Sequence, residues 1–183
     1  MKLFKFVSLF TLVLLSAGSA MSQQSTRDRG IDVYREGKFT EAAKLLEEAG
    51  AADKTDRQAW LYPAAAYAHL GKRDDARNVL QNSRVIQKTN LPMYDSDVKI
   101  TSKPRPDFGE LGRSPPEDNV TFAYAVELRA DGKVGVVIPL KAQPHVLEAF
   151  VAESAGKIQF KPAVKEGRAV TVIKVIEYTF TRF

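Results

Sequence analysis

Apolar positions recur along this chain with changing period. Phe6 to Leu15 is a nearly continuous apolar run, broken by Ser8 and Thr11. From about Gln24 to Lys88, small and large apolar residues return at helical spacing, as Gly30, Val33, Ala42 and Leu46 and then Ala64, Tyr67, Ala76 and Leu80. Beyond the prolines at 92, 104, 106, 115 and 116 the period drops to two. Val120, Phe122, Tyr124, Val126 and Leu128 alternate with Thr121, Ala123, Ala125 and Glu127, which predicts a half-buried strand. Ala130-Asp131-Gly132-Lys133 supplies a hairpin turn into a second strand, Val134 to Ile138. After Pro139 and Pro144, Leu147, Phe150, Val151 and Ser154 fall at helical spacing, with Gly156 placed to close the helix. Ala169 to Phe183 reads as one long strand with Val170, Val172, Ile176, Tyr178 and Phe180 on one face. Val98-Lys99-Ile100 reads as a short strand entering this half. The fold class is therefore α+β, with two helical hairpins followed by a β-hairpin, a helix and a strand.

The helical half repeats itself. Gly37 and Gly71, Ala42 and Ala76, Leu46 and Leu80, Gly30 and Ala64, and Val33 and Tyr67 are each separated by 34 residues, and this spacing resembles tetratricopeptide repeats. Small residues at Gly30, Ala42, Ala64 and Ala76 let paired helices approach. Gly37 and Gly71 sit where the first helix of each pair needs a left-handed residue to end. Glu41, Asp74 and Asp75 place acids at the start of each second helix, as the macrodipole favours. Lys54 and Lys88 stand where such repeats usually carry proline, and Pro63 is expected to kink its helix or delay its start. A plain antiparallel helix bundle is the competing arrangement. Two repeats are fewer than such arrays need, so the pair is expected to lean on the second domain, on a copy of itself, or on a partner. The resemblance implies a concave peptide-binding surface on the first helix of each pair. Its matching positions are Arg27, Ile31, Tyr34, Arg35, Leu61, Ala65, Ala68 and His69, with Arg27, Tyr34, Arg35, Leu61 and His69 as the expected contacts. The Lys/Asn clamp for a peptide carboxylate is absent from these positions.

The order at the N-terminus is that of a secretory signal peptide: Met1 to Lys5 short and positive, Phe6 to Leu15 apolar, then Ser16-Ala17-Gly18-Ser19-Ala20 small. Cleavage after Ala20 or after Ser22 fits; an uncleaved membrane anchor is the alternative. The chain is accordingly divided into a signal peptide (1–22), helical repeats (23–88), a linker (89–97) and an α/β domain (98–183), with a periplasmic location expected. The chain has no cysteine, so there is no thiol for a lipid anchor and no disulfide to support an exported fold.

The α/β half carries a second resemblance. Ala130-Asp131-Gly132-Lys133-Val134, then Lys157-Ile158-Gln159-Phe160-Lys161-Pro162-Ala163-Val164-Lys165-Glu166-Gly167-Arg168-Ala169-Val170, then Glu177-Tyr178-Thr179-Phe180 resembles the C-terminal domain of TonB-type energy transducers. Ile100 to Pro106 upstream also fits. The resemblance implies binding of outer-membrane receptor segments by strand addition to a sheet edge, here the last strand around Val172, Lys174 and Ile176. The chain's own linker or a dimer mate covering that edge is the competing expectation. Phe6 to Ala20 contains no histidine and no long Pro-rich spacer follows, so a periplasmic scaffold without energy transduction is the alternative function.

Other chemistry recedes. Net charge is +5, but the cations are interleaved with acids and form no Lys/Arg block with neighbouring aromatics, which argues against nucleic acid. The two histidines, His69 and His145, fall in different halves, and no nucleophile–base pairing, phosphate-cradling loop or metal-ligand motif is present. A non-enzymatic protein is expected, with no cofactor, metal or small-molecule substrate. Its expected partners are proteins, including TonB-dependent outer-membrane receptors or a second copy of the chain.

Overall fold

The structure, a computed structural model, describes residues 26–83, 98–107, 120–140 and 145–180. The leader (1–22), the linker (89–97) and the prolines at 92, 115 and 116 lie outside them.

Four helices form two antiparallel hairpins: α1 (26–35) with α2 (Phe39–Ala52), and α3 (Gln58–His69) with α4 (Arg73–Asn82). Each hairpin turns in the same way. Gly37 and Gly71 adopt φ of 79° and 74°. The Lys38 and Lys72 N–H groups reach back to the Val33 and Tyr67 carbonyls, and the Gly37 and Gly71 N–H groups to Tyr34 and Ala68. Those bonds are the paired closures of a Schellman cap. Close packing follows from the small residues: Ala42 and Ala64 are fully buried, and a Cβ at Gly30 would fall 2.6 Å from Leu46 Cγ. Helix α3 begins five residues before Pro63 and continues through it to His69, so the proline does not delay its start. Asp56 holds that start, its carboxylate accepting from the Gln58 and Ala59 N–H groups at 3.0 and 3.3 Å.

The second half is built on a three-stranded antiparallel sheet in the order β3 (Val134–Pro139), β2 (Val120–Leu128), β7 (Val172–Phe180). Helix α5 (His145–Gly156) links β3 to the later strands. Two short ribbons complete it: β1 (Lys99–Ser102) with β4 (Gln159–Lys161), and β5 (Ala163–Lys165) with β6 (Arg168–Val170). The stretch read as one long strand from Ala169 is divided at Thr171. Residues before it pair with β5 through a turn at Glu166 and Gly167 (φ 53° and 76°), and residues after it join the sheet. Thr171 is held at the break, where its Oγ1 accepts from the Ala130 N–H at 3.2 Å.

Both faces of the sheet are covered. Phe122, Tyr124, Val126, Leu128, Val172, Ile176 and Tyr178 pack with Val151 and Ala155 of α5 and with Phe160 of β4. The opposite face, with Ala123, Ala125, Val136, Ile138, Ile173 and Val175, packs on Tyr34, Leu61, Tyr62 and Ala65 of the helical hairpins. Of the three supports open to two short repeats, the structure uses the chain's own sheet.

Candidate protein-binding surfaces

The faces of α1 and α3 expected to form a groove are where the sheet docks. Tyr34 and Leu61 are 2% exposed, and Ile31, Ala65 and Ala68 belong to the same core. At the centre of the contact lies Glu127, 4% exposed. The Tyr34 hydroxyl donates to its Oε1 at 2.7 Å. His69 Nε2 sits 3.1 and 3.0 Å from its two oxygens, and the Val136 N–H donates to Oε2 at 3.1 Å. The ladder is irregular here, with register shifting between Val126 and Leu128 opposite β3. Gly135 supplies the room, since a Cβ there would overlap Glu127 Oε2. Aromatic rings fix the donors. His69 stacks on Phe39 with centroids 4.2 Å apart and planes within 2°, and Tyr34 meets Tyr62 edge-on at 5.1 Å. Burial, reinforced by the Glu127 charge, holds the Tyr34 hydroxyl well above the ordinary tyrosine range, so it remains a donor.

The two arginines of the expected groove act at its margins. Arg27 pairs with Asp28 at 2.9 Å and with Asp56 at 3.2 Å, tying α1 to the start of α3. Arg35 pairs with Asp32 at 3.0 Å, and its Nε donates to the Thr171 carbonyl at 3.3 Å. The sequence-derived groove therefore coincides with an intramolecular interface, because two repeats have an uncovered apolar face and the sheet supplies its cover.

Strand β7 hydrogen-bonds only to β2 among the described residues and forms an edge of the sheet. The Leu140 N–H bonds the Ala123 carbonyl, so Ala123 and Ala125 direct their backbone groups toward β3, and the even-numbered residues of β2 direct theirs toward β7. In the observed register those even residues face Val172, Lys174, Ile176 and Tyr178. The backbone groups turned outward on β7 are consequently those of Ile173, Val175, Glu177 and Thr179. The three residues chosen from sequence lie on this strand, but Val172 and Ile176 bury their side chains (6% and 5% exposed) beneath α5 and β4, and Lys174 is half-buried. Side chains cap part of the outer edge. The Tyr62 hydroxyl lies within hydrogen-bonding reach of the Ile173 N–H, and Lys103 Nζ donates to the Glu177 carbonyl at 3.0 Å while resting 5.1 Å from the Tyr178 ring centroid.

Alternation alone places Glu127 with Thr121 on a solvent-facing side, whereas it is 4% exposed. The signal was available in its neighbours: Ala123 and Ala125 are small and apolar, the composition of a face that another element approaches closely.

The fold and these surfaces define an α+β protein whose helical layer is tetratricopeptide-like. A family model described as tetratricopeptide repeat matches residues 33–94. Such repeats generally mediate contacts between proteins, and protein partners are what this match supports. A search of curated proteins returns no match. No helix among the described residues is long and apolar enough to cross a membrane.

Proposed function

We propose that this chain is a periplasmic TonB-like protein that takes part in outer-membrane transport by adding an extended segment of a receptor as a strand to the outer edge of β7. The observation that carries this reading is the position of β7 at the sheet edge. The outward backbone groups of Val175 and Thr179, and the Glu177 N–H, have no backbone partner among the described residues. The hairpin–helix–strand order, the Phe160-Lys161-Pro162-Ala163 segment and the signal-like residues 1–22 support it, as does the repeat match through its link to protein partners. The role is that of a binding protein, not an enzyme. A second reading is a periplasmic scaffold without energy transduction; the leader's lack of a polar histidine face favours it.

The experiment is capture of outer-membrane proteins by the full chain and by Glu177→Pro. A proline there removes an outward N–H while leaving the bonds to β2 intact, a position where edge strands tolerate it. The reading expects receptors enriched by the wild type and lost with the variant. Equal enrichment by both, with the variant folded, would rule out the β7 edge. No enrichment by either would rule out the receptor reading, and a mature N-terminus near Met21 or Gln23 in a soluble fraction would select the scaffold.

A further inference from the structure

We propose that the segment received by β7 is acidic and enters in one register, with acids opposite Lys174 and Tyr178 and an apolar residue opposite Ile176. This rests on the strand-addition reading above and specifies its partner. The caps along the edge set where addition begins. Arg35 on the Thr171 carbonyl and Tyr62 at the Ile173 N–H belong to the helical layer, Tyr62 being 2% exposed, and stay in place. Lys103 is exposed and holds only a carbonyl and a ring face among the described contacts, so it is the cap an incoming strand displaces. The accessible stretch therefore runs from Val175 toward Thr179.

Backbone alternation then fixes which side chains meet. Val175, Glu177 and Thr179 form the hydrogen-bonded positions with the added strand. Lys174, Ile176 and Tyr178 take the non-hydrogen-bonded positions, where side chains across a pair lie closer. Two cations flank Ile176 on this face. Among the described residues Lys174 forms no ion pair, and Lys103 lies over Tyr178 without pairing to a carboxylate. Glu177, the acid of this strand, projects from the opposite face and lies in the field of Arg57. An acid opposite Lys174 and a second one four residues away, which takes up the Lys103 ammonium as it leaves Glu177, match this pattern. Like charges at those places are disfavoured.

The test uses fluorescence anisotropy with the full chain and short labelled peptides centred on Glu-Ser-Ile-Ser-Glu, Gln-Ser-Ile-Ser-Gln and Lys-Ser-Ile-Ser-Lys, whose symmetry removes dependence on strand direction. The Glu peptide is expected to bind about tenfold tighter than the Gln peptide at low ionic strength, from two partly exposed ion pairs. The difference should shrink at about 0.5 M salt, and Lys103→Glu/Lys174→Glu should transfer the preference to the Lys peptide. Equal binding of the Glu and Gln peptides would overturn the acidic partner while leaving strand addition standing. A Glu-Glu-Ser-Ile-Ser peptide binding as tightly as the spaced one would overturn the register. No binding by any of them would overturn both this inference and the reading beneath it.

Discussion

Replacing Glu127 with alanine should weaken the whole molecule. The wild-type carboxylate serves the Tyr34 hydroxyl, His69 Nε2 and the Val136 N–H within 3.1 Å, from a position 4% exposed. Without it, the Tyr34 hydroxyl and the Val136 N–H lose their acceptor inside the interface, at roughly 1–3 kcal/mol each. His69 is about a quarter exposed and recovers a partner from water. Relief from burying a charge offsets part of the loss. We take about 3 kcal/mol, a large share of a marginal total. Urea unfolding followed by the fluorescence of Trp60, the single tryptophan, and by far-ultraviolet circular dichroism reads it directly. Both probes should move together in the wild type, because helices and sheet share one core, and the midpoint should fall by more than about 1 M in the variant. Glu127→Gln keeps the shape and one acceptor and should lose less, with a Tyr34→Phe/Glu127→Gln cycle giving a coupling of about 1–2 kcal/mol. A midpoint shift below about 0.3 M for Glu127→Ala, or separate transitions by the two probes in the wild type, would refute the reasoning.

Gly135→Ala should cost roughly 1–3 kcal/mol through overlap with the Glu127 carboxylate. The penalty should largely vanish in the Glu127→Ala background, which the same urea titrations would reveal. Gly71→Ala should cost about 1 kcal/mol from its φ of 74° alone, since nothing lies within 4 Å of the added methyl. Gly156→Ala, with equally open space and no left-handed backbone, should be neutral or slightly stabilising, and the contrast in unfolding midpoint checks the pair. Burial raises the hydroxyl pKa of Tyr34, Tyr62 and Tyr124, so the folded state keeps protons that the unfolded chain releases near pH 10. Their contribution is thus complete below pH 10 and is lost as pH rises above it, by up to about 1.4 kcal/mol per pH unit for each tyrosine. Tyr124→Phe should flatten that decline by one tyrosine's share when midpoints are compared from pH 8 to 11.

Much of the fold was legible because local signals and tertiary contacts agree. The alternation of Val120 to Leu128 becomes β2, Gly132 turns the hairpin with φ 80°, and the 34-residue offset reappears as two identical caps at Gly37 and Gly71. The division at Thr171 was not legible, since Ala169 to Phe180 is uniformly strand-like and only the competing partners, β5 and β2, distinguish its two parts. The β7 edge could be placed on the last strand, but its outward residues could not. That choice depends on the register with β2 and moves to the alternate set with a slip of one residue.

The fate of the helical groove follows from the same physics that makes small repeat arrays incomplete. Two hairpins present a face rich in Ile31, Tyr34, Leu61 and Ala65, and a sheet of this size presents a second apolar face beyond the one α5 covers. Each is a liability alone, and each answers the other. The chain boundary near Val98 is therefore not a boundary between cores: one cluster runs from Ile31 to Leu80 and continues through Ala125, Ile138 and Leu140. A peptide competing for that groove would have to strip apolar area from both layers and leave Glu127 without Tyr34 and His69. The proposed strand addition at β7 requires only the withdrawal of the exposed Lys103 from the Glu177 carbonyl and the Tyr178 ring, a loss of about 1–3 kcal/mol. That difference in cost leaves the helical layer to support and shield the sheet, and it favours the proposed recognition at the outer edge of β7 over the helical groove.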